Sequence, residues 1–208
     1  MAPDSELICR IALGLMFVGL AGAGLPYRLR ADRAGGRVSR ATDPQWFWIL
    51  MIVFSPAVPL ACGGFLFAPR WVDFSTFPAP AWLRLLGVPI GGFGLFLFGW
   101  MFRHLGLNVT STSQPRANAN LVTSGPYRWV RHPMYSSAFI LAVAATLLTA
   151  NWIVAVGGGL AFALLVARSR LEERRLVEKF GEAYRRYQRD TGRLIPRMLP
   201  TRPNVNRR

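Results

Sequence analysis

Apolar residues fall into long runs separated by arginine-rich stretches. Residues 6–27, 46–67 and 82–102 each have the length at which a helix crosses a bilayer. A hydrocarbon core of roughly 30 Å needs about 20 apolar residues at about 1.5 Å of rise each. A longer run, 136–167, is interrupted near its middle by Asn151 and reads as two short spans joined by a tight turn. The pattern predicts an all-α integral membrane protein with about five transmembrane helices. Asp4 and Glu6, in place of a basic cluster, flank the first run, and no small-residue cleavage site follows. It is therefore expected to stay as a span and not to act as a cleaved leader.

Composition agrees. Of 208 residues, 52% are hydrophobic and 17% charged, too apolar for an ordinary soluble domain of this size. The net charge of +15 comes from 24 arginines and Lys179. Such a charge can signal nucleic acid, but here it lies beside the spans and follows the positive-inside rule. Arg28, Arg30, Arg33, Arg37 and Arg40 crowd the loop 28–45, and Arg103, Arg116, Arg128 and Arg131 the loop 103–135. Loop 68–81 has one arginine and one aspartate, and the turn at Asn151 has no charge. This asymmetry predicts an outside N-terminus, a cytoplasmic C-terminus and a bacterial-type inner membrane, with membrane lipids as surroundings and no nucleic acid.

One domain is expected over 1–208, since single spans cannot pack their faces alone. It divides into three spans (1–103), a core with the last hairpin (104–197) and a frayed tail (198–208). Gly87, Gly91, Gly92, Gly94 and Gly99, and again Gly157 to Gly159, read as close helix packing. Pro56, Pro59 and Pro89 are expected to kink their helices. Cys9 and Cys62 read as small buried hydrophobes, with a disulfide left open. No cysteine spacing suits a metal, and His104 and His132 cannot build a metal site alone.

Segment 104–135 is polar, rich in turn formers (Asn108, Ser113, Pro115, Asn118, Asn120, Gly125, Pro126) and long for a connector. After the last span, Leu171, Leu176, Phe180 and Tyr184 approximate one helical face. They predict a helix leaving the membrane and lying near its surface, ended by Pro196, Pro200 and Pro203. The hairpin 136–167 goes out and returns, so it brings both segments to one membrane face and makes His132 and Glu172 plausible neighbours. Read singly, Arg168 and Glu172 are an i, i+4 surface pair, Arg131 is a positive-inside anchor, and Tyr184 and Tyr187 are interfacial or packing residues.

Together these residues resemble a known pattern. Leu121-Val-Thr-Ser-Gly-Pro-Tyr-Arg-Trp-Val-Arg-His-Pro-Met-Tyr135, with Glu172-Glu173, Leu176, Phe180-Gly181, Tyr184 and Tyr187, resembles the isoprenylcysteine carboxyl methyltransferase family, related to the phospholipid methyltransferases. The resemblance covers about 105–197. It implies a membrane-embedded, S-adenosylmethionine-dependent methyltransferase acting on a lipophilic or lipid-linked acceptor. Its cytosol-facing pocket would be built by the loop before the last hairpin and by the C-terminal helix.

Carried over by position, cofactor contacts fall on Ala119, Asn120, Leu121, Val122, Tyr127, His132, Pro133, Met134, Tyr135, Glu172 and Glu173, and catalytic roles on Arg168 and Arg131. Arg168 matches the arginine that faces the acceptor in carboxyl-methylating members. Asn120 is a departure, standing where those members often have histidine. Phospholipid amines and small thiols are rival acceptors. An NADPH-dependent sterol-reductase-like enzyme is a further alternative, and no metal is required.

Overall fold

The computed structural model describes residues 3–35, 43–109 and 119–197. Arg37, Arg40, Ser113, Pro115, Arg116, Asn118 and the tail from residue 198, with Pro200 and Pro203, lie outside them. The helices are α1 (Pro3–Gly35), α2 (Gln45–Phe54), α3 (Ala57–Phe67), α4 (Ala81–Leu85), α5 (Gly87–Leu105), α6 (Pro133–Thr149), α7 (Trp152–Phe180) and α8 (Glu182–Asp190). Asp4–Ala34, Gln45–Phe67, Ala81–Asn108 and Trp152–Phe180 are long and apolar enough to cross a bilayer, and α6 is a shorter apolar helix. The chain is an all-α, multi-pass integral membrane protein. Among the described residues four spans are long enough where five were expected. The 17 residues of α6 rise about 25 Å, at the short limit for crossing.

Two boundaries differ from expectation. The first helix does not stop at residue 27 but runs through Pro26 to Gly35, so Arg28, Arg30 and Arg33 lie on a helix. The last long helix is continuous from Trp152 to Phe180 and turns at Gly181 (φ 57°); α8 then ends at Asp190, before any of the three prolines. Pro56 has no N–H to offer the Ile52 carbonyl, and the second span breaks there into α2 and α3. The third span likewise breaks at Leu86, near Pro89. Pro59 falls in the first turn of α3, where no helical donor is needed, and makes no further break.

The glycines of α5 let α6 come close. A Cβ on Gly87 would lie 2.7 Å from Leu148 Cγ, and one on Gly94 2.9 Å from Leu141 Cγ. Gly92 and Gly99 face open space, so close packing accounts for only part of the glycine pattern. Cys9 and Cys62 are free, fully buried, and belong to one core with Leu13, Phe65, Ala144 and Leu148.

The hairpin turn lies at the end of the bundle away from most arginines. Ala150 adopts the left-handed conformation (φ 47°, ψ 49°). Asn151 then caps α7 by accepting from the Ile153 and Val154 amides at 2.9 and 3.3 Å. Its side-chain amide donates to Ser75 Oγ at 2.7 Å. Arg84, buried among apolar residues, donates from Nε and Nη2 to the Leu148 carbonyl at 3.2 and 2.7 Å. A helix end leaves its last carbonyls without partners, and in a bilayer each orphan is costly; Arg84 fills that need for α6.

Candidate active site

At the opposite, arginine-rich end, α6 starts with His132 as its N-cap and Pro133 in its first turn, where a missing amide costs nothing. Before it, Gly125 (φ 60°) opens a tight turn over Gly125–Arg128. A Cβ on Gly125 would run into the His104 ring, which is tied through Nδ1 to the Trp100 carbonyl at 3.0 Å. Gly125→Ala should therefore lose about 1–3 kcal/mol to overpacking and strain, measured as a drop in thermal stability in detergent.

Residues 191–197 turn back from α8 and form a strap beside the motif. The Arg131 amide donates to the Gly192 carbonyl at 2.8 Å, and the His132 amide to the Arg193 carbonyl at 3.0 Å. Val130 and Gly192 form an isolated parallel bridge, and Ser136 Oγ donates to the Leu194 carbonyl at 2.6 Å. Arg131 reinforces the strap through Nη1, which reaches the carbonyls of Gln188 (3.0 Å) and Thr191. Its Nε donates to Glu173 Oε1 at 2.8 Å.

Glu173 also meets His132 Nε2 at 3.2 Å and the Gln188 amide at 3.3 Å. The His132 ring is 5.2 Å from that of Tyr135 and nearly parallel to it (7°). The Tyr135 hydroxyl donates to Glu172 Oε2 at 2.8 Å. His132 and Glu172 are thus brought together, as the hairpin topology predicts, with His132 Nδ1 3.8 Å from Glu172 Oε2.

A cavity of about 130 Å³ opens over this network. Ala119, Asn120, Leu121, Val122, Tyr127, Arg131, His132, Pro133, Met134, Tyr135 and Glu172 all line it. Glu173 does not, since its carboxylate faces Arg131, His132 and Gln188. Asn120 is anchored through its backbone: its amide donates to Asn108 Oδ1 at 3.3 Å, and Asn108 Nδ2 to its carbonyl at 3.4 Å. Arg168 is absent from the lining. Its guanidinium meets Asp43 Oδ2 at 3.3 Å, while Glu172 accepts from Tyr135. Both residues are thus engaged by other elements, beyond a bare i, i+4 surface pair.

Sequence reasoning missed several lining residues: Arg28 on α1, Phe102 and Leu105 on α5, and Asn108 and Val109 beyond it. Leu176, Phe180 and Tyr184 were visible as one helical face, but that face covers the cavity along with Tyr187. Tyr184 and Tyr187 are buried rather than interfacial, and Tyr187 Oη donates to the Tyr127 carbonyl at 2.6 Å. Burial pushes the phenols of Tyr127, Tyr184 and Tyr187 up, so they serve as neutral hydroxyls and flat walls.

The family model "Phospholipid methyltransferase" matches residues 82–183. A protein-S-isoprenylcysteine O-methyltransferase of Dictyostelium discoideum is 27% identical over 138 residues, covering 62% of this chain and 57% of that protein. A methanethiol S-methyltransferase of Pseudomonas deceptionensis is 44% identical over 75 residues, covering 34% and 26%. Among solved structures, a eukaryotic intramembrane Ras methyltransferase, isoprenylcysteine carboxyl methyltransferase, superposes with a TM-score of 0.58 at 20% identity, covering 94% of this chain and 68% of that one. The chain spans about half the length of the curated isoprenylcysteine relatives it matches.

Proposed function

We propose that the chain, which resembles the isoprenylcysteine carboxyl methyltransferases and matches the related phospholipid methyltransferase model over residues 82–183, is an S-adenosylmethionine-dependent methyltransferase of a lipophilic, acidic acceptor. The observation that carries this reading is the cavity, lined by every residue expected to touch the cofactor except Glu173. Its volume accommodates roughly ten waters, or about 300 Å³ of liquid, at the lower end for small-molecule pockets.

The lining suits the cofactor's parts. Tyr127, Phe180, Tyr184 and Tyr187 offer apolar and aromatic walls for adenine. Glu172, already accepting from Tyr135, has further acceptor capacity for ribose hydroxyls or an amino group. Arg28 is a cation at the cavity wall for a carboxylate. When bound, S-adenosylmethionine supplies a methyl group on a sulfonium, which an acceptor carboxylate oxygen takes as the C–S bond breaks, leaving a neutral ester and a neutral thioether.

The chain's own residues position the partners. Arg168 precedes Glu172 by one helical turn, about 6 Å along α7, on the side toward the bilayer. An acceptor dissolved in the membrane would meet Arg168 first. Arg131 and Glu173 act by holding His132 and the strap. The whole chain forms one methyltransferase domain. Its arginine-rich end and cavity face the cytoplasm of a bacterial-type inner membrane, with the N-terminus outside, because arginines cluster there and are sparse at the other end.

Calorimetry on the detergent-solubilised protein should show binding of S-adenosylmethionine or S-adenosylhomocysteine. Binding of NADPH with neither of these would place it with the reductases. The Pseudomonas relative supports a second acceptor reading, a small thiol. Isotope-labelled S-adenosylmethionine, offered with lipid extract or with thiols, separates the two.

A further inference from the structure

Arg168 is held by the start of α2. The Asp43 side chain is fully buried (0% exposed). One oxygen, Oδ2, faces Arg168 Nη2 at 3.3 Å, and the other, Oδ1, accepts from Arg175 Nη1 at 3.2 Å. The guanidinium of Arg168 also lies over the Phe47 ring at 4.8 Å and within 6.0 Å of the Trp48 ring. Arg168, Glu172 and Arg175 recur at i, i+4 and i+7 on one face of α7. Asp43 thus ties the two arginines on either side of Glu172, which Tyr135 holds separately.

We propose that Asp43 is a positioning residue that sets Arg168 for an acidic acceptor, an inference that rests on the methyltransferase reading above. An arginine at the bilayer boundary otherwise extends its long stem toward the headgroups. A carboxylate just before α2 and two aromatic rings in its first turns remove that freedom before the acceptor arrives. Asp43 Oδ2 meets one terminal nitrogen of Arg168, Nη2, so the carboxylate fixes the place of the guanidinium through that contact. Methylation removes the acceptor's negative charge, and the product then has no claim on the cluster. Asp43 therefore favours entry of an acid and departure of its ester.

The test compares wild type, Asp43→Asn, Asp43→Glu and Arg175→Met in detergent. S-adenosylhomocysteine binding reads the cavity, and methyl transfer to N-acetyl-S-farnesylcysteine, a membrane-soluble carboxylic acid, reads the acceptor side. Asp43→Asn should raise KM for the acid by about tenfold or more, with cofactor Kd within about twofold of wild type. Asp43→Glu should recover most of the loss. Arg175→Met should keep a KM near wild type, because Asp43 still holds Arg168.

A wild-type KM in Asp43→Asn, or equal losses in Asp43→Asn and Arg175→Met, would overturn the proposal and leave a structural brace. A wild-type protein that methylates only an uncharged alkyl thiol would overturn it too, while the methyltransferase reading stands. Failure of the wild type to bind S-adenosylhomocysteine removes both.

Discussion

Glu172→Ala is expected to weaken S-adenosylmethionine binding by about ten- to a hundredfold, the worth of a charge-assisted hydrogen bond of roughly 1.5–3 kcal/mol. The carboxylate lies on the cavity wall and is the partner of the Tyr135 hydroxyl. Alanine removes an acceptor from the cofactor and also leaves a buried phenol without its acceptor. Glu172→Gln separates the two effects, since the amide oxygen can still accept from Tyr135 but carries no charge. Its affinity loss should be smaller than that of alanine, with thermal stability close to wild type. Calorimetric titration with S-adenosylhomocysteine reads both variants, and wild-type affinity in both would remove Glu172 from the site.

Arg168→Ala is expected to leave cofactor affinity nearly intact while methyl transfer to an acidic acceptor falls about ten- to a hundredfold. Arg168 does not line the cavity, so the cofactor does not depend on it. Alanine also takes the Arg168 guanidinium away from the buried Asp43, whose other oxygen faces Arg175 at 3.2 Å, a change that lowers stability because a buried charge loses compensation. Arg168→Lys keeps a positive charge beside Asp43 but loses the planar fork that grips a carboxylate with two bonds. It should refold the stability and not the rate. Single-turnover transfer at saturating cofactor is the measurement; identical binding and transfer profiles for the Glu172 and Arg168 variants would end the assignment of separate roles.

The spans were legible because twenty apolar residues in a row have few uses outside a bilayer. Most of the cavity was legible because most of its wall comes from two contiguous motifs, 119–135 and 172–187, with side chains at helical and turn spacings. Asp43 was not. It sits in a stretch read as an arginine-rich loop, and nothing local marks an aspartate that meets arginines more than a hundred positions away. Arg28 was hidden for a related reason: its segment looked like a loop, whereas the helix continues through Pro26 and carries the arginine to the cavity. Tyr184 and Tyr187 illustrate a different limit. A helix beside a membrane shows the same apolar face whether lipid or protein covers it, and only the fold of α8 back onto the motif decides.

The strap at 191–197 bears on when this protein becomes competent during its own synthesis. The amides of Arg131 and His132 find carbonyl partners in Gly192 and Arg193, and Arg131 reaches Thr191, 60 positions further along the chain. A ribosome that has just finished α6 has therefore delivered the motif without the segment that braces it. The nascent chain can insert its helices in order, yet the histidine stays loosely held until α7, α8 and the strap have emerged. Premature termination in α8 would leave a protein with every span in place and an unfinished site, a product that membrane-insertion assays would count as normal.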